Sequence, residues 1–196
     1  MRRDLVTSVL AILVMTVVFG VIYPLVVTGA AQVAWPGDAN GSKVTVNGRL
    51  VGSRLIAQDF RNQGRYFQER PSTAIDYNAA GSAFTNLGPN SATARDTYRR
   101  ALASYLRREQ PYDSALTDAR KVPIDAVTSS ASGIDPDISL ANARIQAHRV
   151  AAVRHIPLET INKLIDENTE GRFLGVLGEP GVNVLDLNLS LDRIGR

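Results

Sequence analysis

The segment from residue 127 to residue 146, VTSSASGIDPDISLANARIQ, concentrates residue types that could perform nucleophilic or anion-binding chemistry. Ser130, Ser132 and Asp135 lie shortly before a predicted helix. A serine there could serve as a nucleophile, and the free N–H groups of the helix N-terminus could hold an anion. However, neither serine has the first glycine of a Gly-x-Ser-x-Gly nucleophile elbow. The motif evidence for a hydrolase is therefore weak.

The simpler interpretation of this segment is structural. Gly133 with Asp135 and the proline after it predicts a turn, and Ser139 is predicted to be the N-cap of a helix that starts at Leu140. An anion bound at the helix N-terminus is the functional alternative.

Other common catalytic patterns are absent from the sequence. The chain has no cysteine, which excludes disulfides and thiolate metal ligands. His148 and His155 are seven residues apart, about 10 Å along a helix, which is too far to share one metal ion. No Gly-x4-Gly-Lys phosphate loop occurs. We therefore predict no catalytic residue and no metal site.

The N-terminal segment predicts a membrane anchor. No charged residue lies between Asp4 and Asp38, and residues 9–27 are almost entirely apolar. About 20 apolar residues cross a bilayer as a helix, whereas the apolar core of a signal peptide spans about 7 to 15. We therefore expect a retained transmembrane helix with its flank over residues 5–34, with a cleaved signal peptide as the alternative.

The charges before this span predict its orientation. Arg2 and Arg3 place residues 1–4 in the cytoplasm, and the domain after the helix is expected outside. Thr16, Gly20 and Pro24 recur every four residues, so they form a strip of small or kinking residues on one flank. Such a strip favours close packing against another membrane helix, with chance occurrence as the alternative.

The rest of the chain predicts one α+β domain over residues 43–196, after a polar linker at residues 35–42. Asn47-Gly48 stands between two runs of β-forming residues and predicts a type I′ hairpin over residues 43–51. Leucines alternate along residues 182–191, which predicts a half-buried C-terminal strand. We expect a small sheet made of the hairpin and this strand.

About three helices complete the predicted domain, at residues 92–110, 140–154 and 158–168, each with apolar residues at helical spacing. Residues 61–91 hold aromatic and turn-forming residues without a helical or strand pattern. A loop of this length inside a compact domain is usually functional or disordered, and its aromatics argue against disorder.

The net charge of +3 comes from basic and acidic residues that are interspersed along the chain. No basic stripe with interleaved aromatics occurs, so the sequence does not predict nucleic-acid binding.

The order of short motifs along the chain resembles the C subunit of the bacterial Kdp potassium-transporting ATPase. The resemblance extends from about residue 15 to residue 192. Its motifs are Tyr23-Pro24-Leu25, Val51-Gly52-Ser53, Leu55 to Phe60, Tyr66-Phe67, Arg70-Pro71-Ser72, Tyr77-Asn78, Ser82, Asn86-Leu87, Ser130 to Asp135, Gln146 with Arg149, and Val182 to Leu189.

The resemblance implies a non-enzymatic accessory subunit of a bacterial inner-membrane complex that imports potassium with high affinity. The implied partners are a channel-like potassium-translocating subunit, a P-type ATPase subunit and a short membrane peptide. The C subunit itself is expected to be a single-pass protein in the lipid bilayer, with an external domain needed for assembly of the complex.

The resemblance also implies a catalytic-chaperone role, in which the C subunit raises the ATP affinity of the ATPase subunit. The subunit would then have no cofactor of its own, and ATP would be shared with the ATPase subunit. Gln146 and Arg149 match the proposed nucleotide-contacting segment. The predicted orientation conflicts with this role, because it places both residues on the side opposite to cytoplasmic ATP.

We expect the loop at residues 61–91, together with residues 127–138, to contact the external face of the potassium pathway. The predicted interface residues are Thr16, Gly20, Pro24, Tyr66, Phe67, Arg70, Tyr77, Asn78, Ser82, Asn86, Ser130, Ser132 and Asp135.

Two other classes of function stay open at this point. A membrane-tethered hydrolase would use Ser130 or Ser132 and requires a base beside one of them. A tethered module for small ligands requires a concave apolar pocket in the domain.

Overall fold

A computed structural model describes residues 2–72, 77–82 and 84–194. By its internal contacts the chain divides into two units, residues 1–51 and residues 52–196. The first unit contains the predicted anchor, and the second contains most of the helices and a three-stranded sheet. The α+β class predicted from the sequence is confirmed.

The first unit begins with one helical rod of 33 residues, Arg2–Ala34, none of which is buried in the chain. It consists of α1 (Arg2–Val17), a π-helical turn (Val18–Ile22) and α2 (Tyr23–Ala34). The rod is long and apolar enough to cross a membrane.

Pro24 explains the π-helical turn. Proline has no backbone N–H, and its ring crowds the carbonyl one turn earlier in the helix. Just before the proline, the helical hydrogen bonds change from a four-residue to a five-residue spacing. The N–H of Tyr23 therefore donates to the carbonyl of Val18.

A short helix, α3 (Pro36–Ala39), follows within the predicted linker, and the hairpin of β1 (Lys43–Val46) and β2 (Arg49–Ser53) comes next. Asn47 and Gly48 have φ values of 51° and 75°. Both turn residues therefore adopt the left-handed region that a type I′ turn requires, and the predicted hairpin is confirmed.

The described residues of the second unit form four α-helices and a small antiparallel sheet. The middle strand of the sheet, β5 (Gly181–Asn183), pairs with β3 (Asp137–Ser139) on one side and with β4 (Thr169–Glu170) on the other, so that Val182 lies opposite both Ile138 and Thr169. In chain order the elements are α4 (Ala92–Glu109), β3 (Asp137–Ser139), α5 (Leu140–Arg154), α6 (Leu158–Glu167), β4 (Thr169–Glu170), β5 (Gly181–Asn183) and α7 (Val184–Ile194).

The main core of this unit lies between the sheet and the helices α5, α6 and α7. Its buried residues are Phe67, Ile138, Ala143, Ala147, Val150, Ala151, Ile161, Leu164, Ile165, Val182, Val184, Leu187 and Leu191. A smaller cluster of Tyr105, Leu116 and Ala126 lies beside α4. Phe67 is a notable member of the main core, because it comes from a segment without helix or strand structure.

The C-terminal segment differs from the predicted long strand. Only Gly181–Asn183 is a strand, and it pairs in a different sheet from the hairpin; α7 begins directly after it. Asn183 starts this helix by accepting a hydrogen bond from the N–H of Asp186 at 3.2 Å. The fully buried residues of α7 are Val184, Leu187 and Leu191, which are spaced by three and four. The leucine alternation therefore coincided with a helical stripe, and the period of two was the wrong reading of it.

Candidate functional site

The N-terminus of α5 is fixed by its own chain. Ser139 caps the helix as predicted, with its hydroxyl accepting from the N–H of Asn142 at 3.1 Å. The carboxylate of Asp125 accepts from the N–H and the hydroxyl of Ser139, both at 2.9 Å, and from the side chain of Asn142 at 3.0 Å. Asp125 thus supplies the anion that a helix N-terminus favours, which accounts for this site without an external ligand.

Gln146 lies two turns into α5 and is 1% exposed. Its side-chain carbonyl accepts from the N–H of Gln68 at 2.8 Å, and its amide donates to the carbonyl of Gln68 at 2.9 Å. The amide also donates to Asn142 at 3.1 Å. Gln146 therefore pairs with the backbone of Gln68 much as a neighbouring strand would.

Asn188 of α7 makes the same pair of hydrogen bonds with the backbone of Phe67, the residue before Gln68. Its carbonyl oxygen accepts from the N–H of Phe67 at 2.9 Å, and its amide donates to the carbonyl of Phe67 at 3.0 Å. Two amide side chains from two helices thus satisfy the backbone of two consecutive buried residues. This pairing lets an irregular segment pass through the core without leaving its N–H and C=O groups unpaired.

Arg149 completes this group and is 2% exposed. Its Nε donates to both carboxylate oxygens of Glu109 at 3.1 and 3.0 Å, and one Nη donates to Gln146 at 3.0 Å. The other Nη donates to the carbonyl of Tyr66 at 3.0 Å and to that of Gly64. The guanidinium therefore joins α4, α5 and the segment before Phe67.

A second contact between α4 and α5 lies one turn away. The hydroxyl of Tyr105 donates to Asn142 at 2.9 Å. Burial, reinforced by the charge of Glu109, raises the pKa of Tyr105, so its hydroxyl stays neutral and remains a donor. Together these contacts hold α4 against α5 through polar groups as well as through the small core cluster.

The predicted nucleotide contact at Gln146 and Arg149 does not fit this geometry. Both side chains are buried, and all hydrogen-bonding groups of the Gln146 amide are directed at the chain's own residues. A phosphate could reach the Arg149 guanidinium only by displacing Glu109 or the carbonyls it holds. In this structure both side chains therefore serve the fold.

The structure brings several predicted interface residues together. Arg70 pairs with Asp135 at 2.9 Å and donates to the carbonyl of Ser129 at 3.3 Å. The hydroxyl of Tyr77 donates to the carbonyl of Arg70 at 2.8 Å, and that of Ser82 donates to the carbonyl of Ser132 at 2.6 Å. The segments 66–72, 77–82 and 128–135 therefore form one joined group, which we call the loop cluster.

Ser130 and Ser132 stabilise the turn inside this cluster. Their hydroxyls lie 3.2 Å apart, and they accept from the N–H groups of Gly133 and Ile134 at 2.9 and 3.2 Å, respectively. Within the described part of the chain, neither hydroxyl hydrogen-bonds to a histidine or a carboxylate. Among residues 2–72, 77–82 and 84–194, neither serine is therefore hydrogen-bonded to a base of the kind that a hydrolase would need.

The remaining predicted interface residues make other contacts or lie outside the loop cluster. Phe67 is fully buried, so its predicted contact with a partner does not fit; it is a core residue. Tyr66 is half-buried and donates to Asp192 at 2.8 Å. Asn78 accepts from the N–H of Ala80 within its own turn, and Asn86 is exposed. Thr16, Gly20 and Pro24 lie on the exposed helical rod of the first unit.

Glu69 is a buried acid that the sequence analysis missed. One of its oxygens accepts from the N–H of Gln58 at 3.2 Å, and the other is buried without a hydrogen-bond partner among the described residues. Burial raises the pKa of Glu69 well above its usual range, and the neighbouring Asp137 and Asp135 raise it further. No sequence signal marked Glu69, because its burial depends on how the loop folds back.

We predict that Arg149→Met lowers the free energy of unfolding by about 3–5 kcal/mol, because Glu109 would lose its main buried partner. The matched control is Arg144→Met on the same helix, whose pair with Asp166 is exposed. Arg144→Met should lower the free energy of unfolding by no more than about 1 kcal/mol. Urea unfolding of the full-length chain in detergent, followed by circular dichroism, measures both; equal losses would contradict the structural role of Arg149.

We predict that Glu69→Gln makes stability less dependent on pH. A carboxyl whose pKa is raised in the native state contributes most to folding stability below its unfolded pKa, near 4.5. This stabilisation is lost as the pH rises through the native pKa. The variant should therefore gain stability relative to the wild type between pH 5 and pH 8. Thermal melts across this range test it, with the exposed Glu179→Gln as control; parallel curves for Glu69→Gln and the wild type would refute it.

Comparison with known proteins identifies the family. The family model for the K+-transporting ATPase, c chain, matches residues 5–193. The chain is 44% identical to the potassium-transporting ATPase KdpC subunit of Mycobacterium tuberculosis (strain ATCC 25618 / H37Rv), over 99% of this chain and 100% of the relative. It is 46% identical to the subunit of the same name from Acidobacterium capsulatum, over 96% and 97% of the two chains. The resemblance found in the sequence motifs is confirmed: the chain belongs to the family of KdpC subunits of potassium-transporting ATPases.

Proposed function

We propose that this chain is a membrane-anchored accessory subunit whose external domain holds a potassium-importing ATPase complex together. Membership of the family supports a place in such a complex. The observation that carries the proposal is the combination of an unburied apolar rod of 33 residues with a domain whose irregular loops are held by buried and partly buried polar contacts. An anchor and a rigid contact surface are what an assembly subunit needs.

The anchor is proposed to span the bilayer with its N-terminus inside. A helix of 33 residues is about 50 Å long, enough for the hydrocarbon core and one interfacial flank. Arg2 and Arg3 favour the cytoplasmic side, which sends the following domain outward. Thr16, Gly20 and Pro24 would let a partner helix approach closely.

The proposed contact surface includes an apolar groove beside the loop cluster. The groove is lined by Leu87 and Pro89, by Tyr98 and Leu102 of α4, and by Val127. The groove thus joins both segments that the sequence marked as an interface, residues 61–91 and 127–138. A concave apolar surface beside exposed polar loops suits a protein partner with a complementary ridge.

In the proposed complex, the channel-like potassium subunit contacts this external surface, and the P-type ATPase subunit and the short membrane peptide lie elsewhere. Because Gln146 and Arg149 are buried, we assign any effect on ATP affinity to contact with the ATPase subunit rather than to nucleotide binding by this chain. No described residue is assigned a catalytic role.

We expect Leu87→Asp with Tyr98→Asp to weaken the complex without unfolding the domain, because both side chains are exposed at the groove. Recovery of the other subunits with a chain tagged at its C-terminus should fall about tenfold, which corresponds to about 1.4 kcal/mol. Co-purification from membranes that express the whole complex is the measurement. Leu55→Asp, at another exposed apolar position, is the matched control.

Full recovery of the other subunits with the groove variant would show that the groove is not part of the interface. If the wild-type chain brings no potassium or ATPase subunit with it, the assembly role itself is wrong. Protease added to sealed, right-side-out vesicles should digest the domain; protection of the domain there would overturn the orientation.

A further inference from the structure

The turn between β4 and β5 exposes four large apolar side chains. Phe173, Leu174, Val176 and Leu177 are 70%, 79%, 74% and 58% exposed, respectively. None of them belongs to a core cluster of the domain. A contiguous apolar group of this size on a water-facing domain marks a contact surface more often than a chance exposure.

This turn is held in a defined shape. Phe173 and Leu177 exchange backbone hydrogen bonds, with N–H···O distances of 2.8 and 3.0 Å, and the N–H of Gly175 donates to the carbonyl of Arg172 at 2.9 Å. At the base, Arg172 pairs with both carboxylate oxygens of Glu179 at 2.9 and 2.8 Å. Leu174 and Gly175 adopt positive φ values of 51° and 77°, which close the turn.

The backbone pairing prepares the turn for an apolar environment. The N–H groups of Phe173, Gly175, Val176 and Leu177 all donate to carbonyls within the turn. Burying the tip therefore removes apolar surface from water without leaving these amides unpaired. A turn that is already ordered also loses little conformational entropy on binding.

The charges around the tip indicate which kind of surface receives it. Glu170 and Glu179 flank the apolar residues, and Arg172 is the one basic residue between residues 166 and 180. This local excess of negative charge disfavours an anionic lipid surface, which attracts basic flanks. It suits an apolar recess in a protein with basic groups at its rim.

We propose that residues 172–179 form a docking turn that inserts its apolar tip into an apolar, basic-rimmed recess on another subunit of the potassium-transporting complex. The inference rests on the proposed assembly role and adds a second contact to it, distinct in sequence from the groove and the loop cluster. The ion pair of Arg172 with Glu179 keeps the turn in shape, and Glu170 adds charge complementarity with the rim.

The test places the photo-crosslinking residue benzoylphenylalanine at position 176 of the full-length chain, in membranes that express the whole complex. The same residue at position 124 is the control, because Ile124 is also 74% exposed but lies away from the turn in sequence. We expect illumination to join position 176 to another subunit, at an apolar segment next to lysine or arginine, with at least about tenfold more adduct than position 124.

Three outcomes would overturn the docking turn: adducts with lipid, adducts with a second copy of this chain, or no excess over the control. These results leave the proposed function standing if the wild-type chain still co-purifies with the complex, whereas loss of co-purification refutes the proposed function itself. Leu174→Ser with Val176→Ser gives an independent measure. It should reduce recovery of the complex several-fold while leaving the thermal melt of the domain unchanged, and unchanged recovery would count against the docking turn.

Discussion

The domain depends on one buried charge, the guanidinium of Arg149, and on the groups that surround it. Removing such a charge from water costs several kcal/mol, and this cost is offset only when ion pairing and hydrogen bonds are nearly complete. Here Glu109, Gln146 and the carbonyls of Gly64 and Tyr66 supply them. The same contacts join α4 and α5 to a segment that has no helix or strand of its own. An irregular segment can therefore carry Phe67 into the core, which positions everything that follows it in the loop cluster.

Much of the fold could be predicted from local rules. Asn47-Gly48 predicted the hairpin because few other pairs accept two positive φ values. Ser139 predicted where α5 begins, because its hydroxyl accepts from an N–H that has no acceptor within the helix. The C-terminus could not be read in the same way. Leucines at positions 185, 187, 189 and 191 fit a strand by alternation, and the helix is revealed only by the cap at Asn183 and by which of the leucines the core buries.

The candidate site shows the same division. Residue types singled out the loops as a group, and the structure joins Arg70 to Asp135 and Ser82 to the turn at Ser132. Sequence could not separate inward from outward residues there, because an irregular segment has no period that assigns its faces. Gln146 and Arg149 illustrate the consequence. Their Gln-x-x-Arg pattern was compatible with ligand binding, but in the structure both side chains are buried and form a scaffold of contacts within the chain. The apolar groove and the 172–179 turn, which we propose as surfaces for other subunits, lie outside that scaffold.

Hydrogen exchange at the backbone amides of Phe67 and Gln68 tests most directly whether buried side chains hold this segment in the core. The full-length chain in detergent, measured at single-residue resolution, is the appropriate sample. If Asn188 and Gln146 accept from these amides as described, both should exchange as slowly as the amide of Val150 within α5. If both amides exchange as fast as those of the exposed residues 84–90, Arg149, Gln146 and Asn188 do not hold this segment in the core.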